Sequence, residues 1–276
     1  MRPLRFAYRA TINAFLAFDA DDGWAIASHI ALSALMALFP FLIVVTALAG
    51  VLGSQQLADE VARIMFDAWP KEVAEPIAGA VHTVLTRSDG GVLTIGVALA
   101  VVFASSGIES LRIGLNRAYD VTEARNWVLL RLESIGYVIV AAVSLLVLAF
   151  LIVLGPLIFA TALKYVPWLE PLEAIFTFAR YGIAVVVLMV ALILVHKWLP
   201  AGRRSLGEIA PGIVVTMVLW IVAGAVFGRY LAEFASTYVT YYAGLASAMI
   251  ALVFLYYTAL IFVYGGELND AIKKLR

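Results

Sequence analysis

Cysteine is absent from the 276 residues. That rules out disulfides, thiol nucleophiles and cysteine-ligated zinc, and it leaves the compartment open. Charge is scarce too. Asp, Glu, Lys and Arg make up 14% of the chain, against about 25% in soluble proteins. The charges cancel to a net of zero, so the broad basic field of a nucleic-acid-binding protein is missing. The opening stretch MRPLRFAYRATINAFLAFDADDGW has neither an uninterrupted apolar core nor a small-residue cleavage site, which predicts no cleaved signal peptide. What remains is apolar: 64% of the residues are hydrophobic, above the roughly 45–50% of soluble domains. A chain of this length cannot bury so much apolar surface in its own core, so lipid must cover part of it.

Six stretches approach or exceed the roughly 17–25 residues that cross a bilayer as helix. They lie near 28–53, 91–115, 135–163, 181–199, 209–231 and 244–265. Runs such as 138–154 do not alternate polar and apolar residues, which excludes a β-barrel. The expected fold is therefore all-α: one polytopic transmembrane bundle over residues 1–276 with six spans. Residues 4–18 mix Arg with Phe, Tyr and Leu and predict an amphipathic helix at the membrane surface, where basic groups meet anionic lipid. The outer loop 54–90 predicts two short amphipathic helices packed at headgroup level, with a lid over a cavity as the alternative. With the N-terminus inside, only Arg63, Lys71, Arg87, Lys164, Arg180 and Arg229 of the 19 basic residues fall outside. The positive-inside rule then puts both termini in the cytoplasm.

Ionisable and amide groups at membrane depth are costly, so they are the default candidates for a site. Glu109, Arg112 and Asn116 continue the second span with helical spacing, and Glu267 and Asn269 end the sixth. One reading gathers these five into a polar cluster at the cytoplasmic end, able to take a headgroup, an anion or a proton. The other has them tie helix ends together. His29, Glu133 and His196 are secondary candidates, and the two histidines read as interfacial side chains with an inexpensive polar tip. Small-residue rows, Gly96-Ala100-Ala104 and Gly224-Gly228, predict close helix approach. Nothing in the sequence calls for a metal or cofactor.

Four segments carry a resemblance: ASHIALSALMALFPFL (27–42), SSGIESLRIGLNRAYDV (105–121), LPAGRRSLGEIAPG (199–212) and YYAGLASAMIALVFLYYTALIFVYGGELN (241–269). In order and spacing they resemble the YihY/BrkB family of bacterial inner-membrane proteins, historically labelled ribonuclease BN. The likeness runs from about Trp24 to Asn269. Leu32 departs from it, because the family often has Tyr there. The resemblance implies a six-span inner-membrane protein and no agreed activity. The residues speak against a nuclease: His29, His82 and His196 are scattered, and the cytoplasmic acids are interleaved with Arg. The expected role is a transporter or flippase-like protein for a lipid or other envelope amphiphile. The alternative is a non-catalytic scaffold. The expected partners are membrane lipids and no nucleic acid, with room for a homo-oligomer.

Overall fold

The computed structural model describes residues 2–52, 90–149, 151, 155–242 and 246–276. The two amphipathic helices expected in the outer loop lie outside the described residues. Eight α-helices and one 3₁₀ helix account for nearly all of the described chain, and no strand occurs among the described residues. In chain order they are α1 (Arg2–Ala20), α2 (Gly23–Leu52), α3 (Gly90–Ala118), α4 (Trp127–Ala149), α5 (Gly155–Tyr165), the 3₁₀ turn Pro167–Leu172, α6 (Glu173–Trp198), α7 (Leu206–Tyr242) and α8 (Ala246–Lys274).

Five stretches are long and apolar enough to cross a membrane: Val97–Ala118, Trp127–Ser144, Trp168–Trp198, Leu206–Phe234 and Ala248–Lys274. α2 adds the apolar stretch Gly23–Ala37 within a helix of 30 residues. At about 1.5 Å per residue, that helix exceeds the roughly 30 Å hydrocarbon core. Most of each span is exposed, with Ile175, Phe178, Val186, Ile221 and Val226 among the outward side chains. Surfaces so broadly apolar are rare on soluble monomers and fit contact with lipid.

α8 is the central helix and packs on α7, α2, α1 and α3. α3 also packs on α2 and α4, and α6 packs on α7. The main core gathers at one end of the bundle. It joins Ile26 and Ile30 of α2, Leu115 of α3, Leu192 of α6, Ile209 and Ile213 of α7, and Phe262 and Val263 of α8. α1 lies across this end. Its Ala10 and Ala14, one turn apart, are buried against Leu268 and Ala271, while Leu4, Tyr8, Phe15 and Leu16 face outward. Both chain termini therefore lie at the same end.

Local chemistry fixes several of these boundaries. Trp24 Nε1 donates to Asp19 Oδ1 (2.9 Å) across the α1–α2 turn, where Asp22 takes a left-handed backbone (φ 57°). Asn126 caps α4 by accepting the Val128 N–H (2.9 Å). Ser205 and Glu208 open α7 with half of a capping box, the Ser205 N–H donating to Glu208 Oε2 (2.8 Å).

Two glycine positions show how closely α7 and α8 meet. A methyl group added at Gly212 would collide with the Gly265 carbonyl oxygen, and one at Gly265 with Thr216 Oγ1. The expected Gly224-Gly228 row does not work this way. A methyl at either position would meet nothing within 4 Å among the described residues. Small-residue spacing marks a face without bulk, but whether a helix covers that face is decided elsewhere in the chain.

Candidate functional site

The polar residues of the terminal end form three hydrogen-bonded groups. The first is built on Arg112, which is 2% exposed. Its Nη2 donates to the Leu130 carbonyl (3.0 Å) and to Ser134 Oγ, both on α4. Ser134 Oγ donates in turn to the same carbonyl (2.9 Å). Glu109, expected as the partner of Arg112, stands 3.7 Å away and is 30% exposed. The guanidinium is thus held mainly by the neighbouring helix.

Asn116 anchors the second group. Its Oδ1 accepts the Ala201 N–H (2.7 Å), and its Nδ2 donates to Glu123 Oε2 (3.2 Å). Glu123 also accepts from Arg125, at 2.7 Å from Nη2 and 2.8 Å from Nε. Arg125 reaches on to Glu133 Oε2 (2.8 Å) and the Leu199 carbonyl (2.9 Å). The Arg125 guanidinium lowers the Glu123 carboxyl from 4.5 to about 2. This group ties the α3–α4 connection to the α6–α7 turn.

The third group runs through Asn269, Tyr119 and His196. The Gly212 N–H donates to Asn269 Oδ1 (2.6 Å), which orients the amide so that Nδ2 donates to the Tyr119 hydroxyl (3.1 Å). That hydroxyl is 2.8 Å from His196 Nδ1. The chain of bonds links α7, α8, α3 and α6 at a single point. Burial pushes the Tyr119 phenol up to about 12. Arg204 lies over the Tyr119 ring, 3.9 Å from its centroid.

Among the described residues, no hydrogen bond joins any two of Glu109, Arg112, Asn116, Glu267 and Asn269. Arg112, Asn116 and Asn269 each belong to a different hydrogen-bonded group, and Glu267 belongs to none of the three. Glu267 is buried and its Oε1 has no hydrogen-bond partner among the described residues, as is also true of His196 Nε2 and Thr216 Oγ1. His196, two residues before the end of α6, is 0% exposed and enclosed between Tyr119 and Phe262. His29 remains exposed, with its Nδ1 2.7 Å from Ser110 Oγ. Among the described residues, no three of His, Asp and Glu converge so as to hold a metal ion.

Sequence reasoning missed Tyr119, Glu123, Arg125, Ser134 and Arg204. Tyr119 and Arg204 stood inside segments already notable for their composition, GLNRAYDV and AGRRS. The available signal was an aromatic hydroxyl three residues after an Asn at a helix end, and two Arg in a turn with no acid beside them.

Above the polar groups, a groove of about 680 Å³ runs between α7 and α8. Trp220, Gly224, Phe227, Phe254 and Tyr257 are among its lining residues, and Phe254 and Tyr257 reach the outer surface. Trp220 Nε1 donates to the Thr258 carbonyl (3.0 Å), and the groove wall is mostly apolar, with Tyr230, Tyr257 and Thr258 as its polar members. Thr216 and Phe262 lie four residues toward the polar end from Trp220 and Thr258, about 6 Å along each helix.

These features define a polytopic α-helical membrane protein with a polar junction at one end and an apolar groove above it. The family described as Virulence factor BrkB matches residues 14–276, and the chain belongs to that family. A relative from Bacillus subtilis (strain 168), named "Putative ribonuclease-like protein YfkH", is 27% identical over 260 residues, which is 94% of each chain. No solved structure matches the chain.

Proposed function

We propose that this chain is a multi-pass protein of the bacterial inner membrane, with both termini cytoplasmic, that moves a lipid or other envelope amphiphile across the bilayer. The groove between α7 and α8 carries this reading. Its volume of about 680 Å³ falls in the roughly 300–1,000 Å³ range of small-molecule sites. It belongs to two helices that are long and apolar enough to span, and its lining side chains reach the surface that lipid would cover. About one to three helical turns farther on, the same two helices carry Thr216, Glu267 and Asn269. An amphiphile needs an apolar seat for its chain and a polar place for its head. These two helices offer both in series, and the glycine at 224 keeps the seat open.

A nuclease reading has less support. Arg112 and Asn269 are engaged in helix–helix bonds, and among the described residues no three of His, Asp and Glu converge to hold a metal ion.

The test is direct. The purified chain is placed in phospholipid vesicles that carry a fluorescent lipid, and a membrane-impermeant reductant is added. The expected result is quenching beyond the outer-leaflet fraction. Quenching equal to that of protein-free vesicles would overturn the proposal.

A further inference from the structure

The turn between α6 and α7 carries a feature that lipid movement does not require. Arg203, Arg204 and Lys273 border a small cavity of about 80 Å³ together with Tyr119, Glu208 and Asp270. On the same measure one water needs about 10–15 Å³, so the cavity accommodates a tetrahedral oxyanion. The two acids are engaged elsewhere. Glu208 accepts the Ser205 N–H (2.8 Å) at the start of α7, and Asp270 binds Lys274 Nζ (2.7 Å). The three cations have no such partner. Among the described residues, no carboxylate lies within 4.0 Å of the charged nitrogens of Arg203, Arg204 or Lys273.

Arg204 is the most committed of the three. Its guanidinium is stacked 3.9 Å above the Tyr119 ring, which is itself fixed by Asn269 and His196. Nη1 is buried and has no hydrogen-bond partner among the described residues. An Arg held in one orientation by an aromatic face, with a buried donor unspent, is set up for an anion. Burial also lowers the affinity of this guanidinium for its proton, a cost that a bound anion would offset. The turn joins two helices long and apolar enough to span, which places it at the depth of lipid headgroups.

We infer that Arg204, Arg203 and Lys273, with the Tyr119 ring as platform, form a binding site for a phosphate group at the α6–α7 turn. Inorganic phosphate and the phosphate of a lipid headgroup share this chemistry. The site is independent of whether the protein moves lipid, since it is tested by binding at equilibrium.

The experiment titrates the purified full chain, in an uncharged detergent at low salt, with inorganic phosphate and separately with a short-chain phosphatidic acid. Isothermal titration calorimetry reads both. Binding of at least one ligand is expected, and Arg204→Gln should weaken it by about tenfold or more, the equivalent of one charge-assisted hydrogen bond. Binding of phosphatidic acid alone would assign the site to a headgroup, and binding of both would assign it to phosphate in general. Arg117→Gln removes an exposed cation that pairs with Asp22 and should leave the affinity unchanged. If Arg204→Gln fails to fold, the double variant Arg203→Gln/Lys273→Gln replaces it. That variant alters exposed side chains only and should weaken binding about fivefold. Three results would overturn the inference: no binding of either ligand, equal affinity in the variants at the site, or an equal loss in Arg117→Gln.

Discussion

Tyr119 marks the point where four helix ends meet, and the residues around it carry the first expectations. Asn269→Ala would leave the Gly212 N–H without its acceptor and the Tyr119 hydroxyl without its donor. Each buried group stranded in this way costs about 1–3 kcal/mol. The variant should unfold at least about 2 kcal/mol more easily than the parent in a chemical-denaturation series in detergent. Tyr119→Phe keeps the ring beneath Arg204 and should lose less. Glu123 gives a pH dependence. Its carboxyl is held at about 2 in the fold against 4.5 ordinarily, so its contribution to stability is complete above pH 4.5 and disappears as the pH falls toward 2. The thermal midpoint of the parent should fall across that window more than that of Glu123→Gln. Parallel curves would show that the Glu123–Arg125 contact adds nothing.

At the scale of elements, the Gly-Gly-Glu-Leu-Asn run of α8 holds the bundle together. Gly265 admits α7, Gly266 lies against Leu115 and Ala118 of α3, and Asn269 takes the Gly212 N–H that follows Pro211. Gly265→Ala should therefore cost several kcal/mol, on the order of other overpacked cores. Gly224→Ala should be neutral or should stabilise by up to about 1 kcal/mol, the helix-propensity gain of Ala over Gly. Thermal unfolding of the two variants side by side separates them, and equal losses would refute the distinction. Much at this scale was legible in the sequence. Long apolar runs announce helices because lipid demands them, and Arg112, Asn116 and Asn269 stood out because polar groups are costly there. The illegible part consists of contacts between helix ends distant in sequence. Asn116 with Ala201, Tyr119 with His196 and Arg125 with Leu199 depend on which helices become neighbours, and spacing within one helix does not encode that. The Gly224-Gly228 row was misread for the same reason.

For the whole molecule, the arrangement puts both termini at one end and the Pro167–Leu172 turn, one helix length from the polar groups, at the other. The absence of native cysteine makes this simple to check. Arg276→Cys and Trp168→Cys, each the sole cysteine, should react with a membrane-impermeant maleimide from opposite sides, and labelling from the same side would contradict the topology. The two ends have different physical characters. Near the termini, Arg112, Asn116 and Asn269 bond between helices while Thr216 Oγ1 and Glu267 Oε1 have no partner among the described residues, and the α7–α8 groove above them is mostly apolar. In the proposed cycle the amphiphile's chain occupies the groove while the bundle's polar end receives its head. Gly224 is the position where that claim is most exposed, because an added Cβ there meets no described atom within 4 Å and a larger side chain would extend into the groove. The decisive measurement is the rate of fluorescent-lipid translocation in vesicles containing Gly224→Trp, compared with the parent chain at equal reconstitution and equal thermal stability. The account predicts a rate lower by at least about tenfold, equivalent to at least about 1.4 kcal/mol on the barrier. An unchanged rate would contradict it.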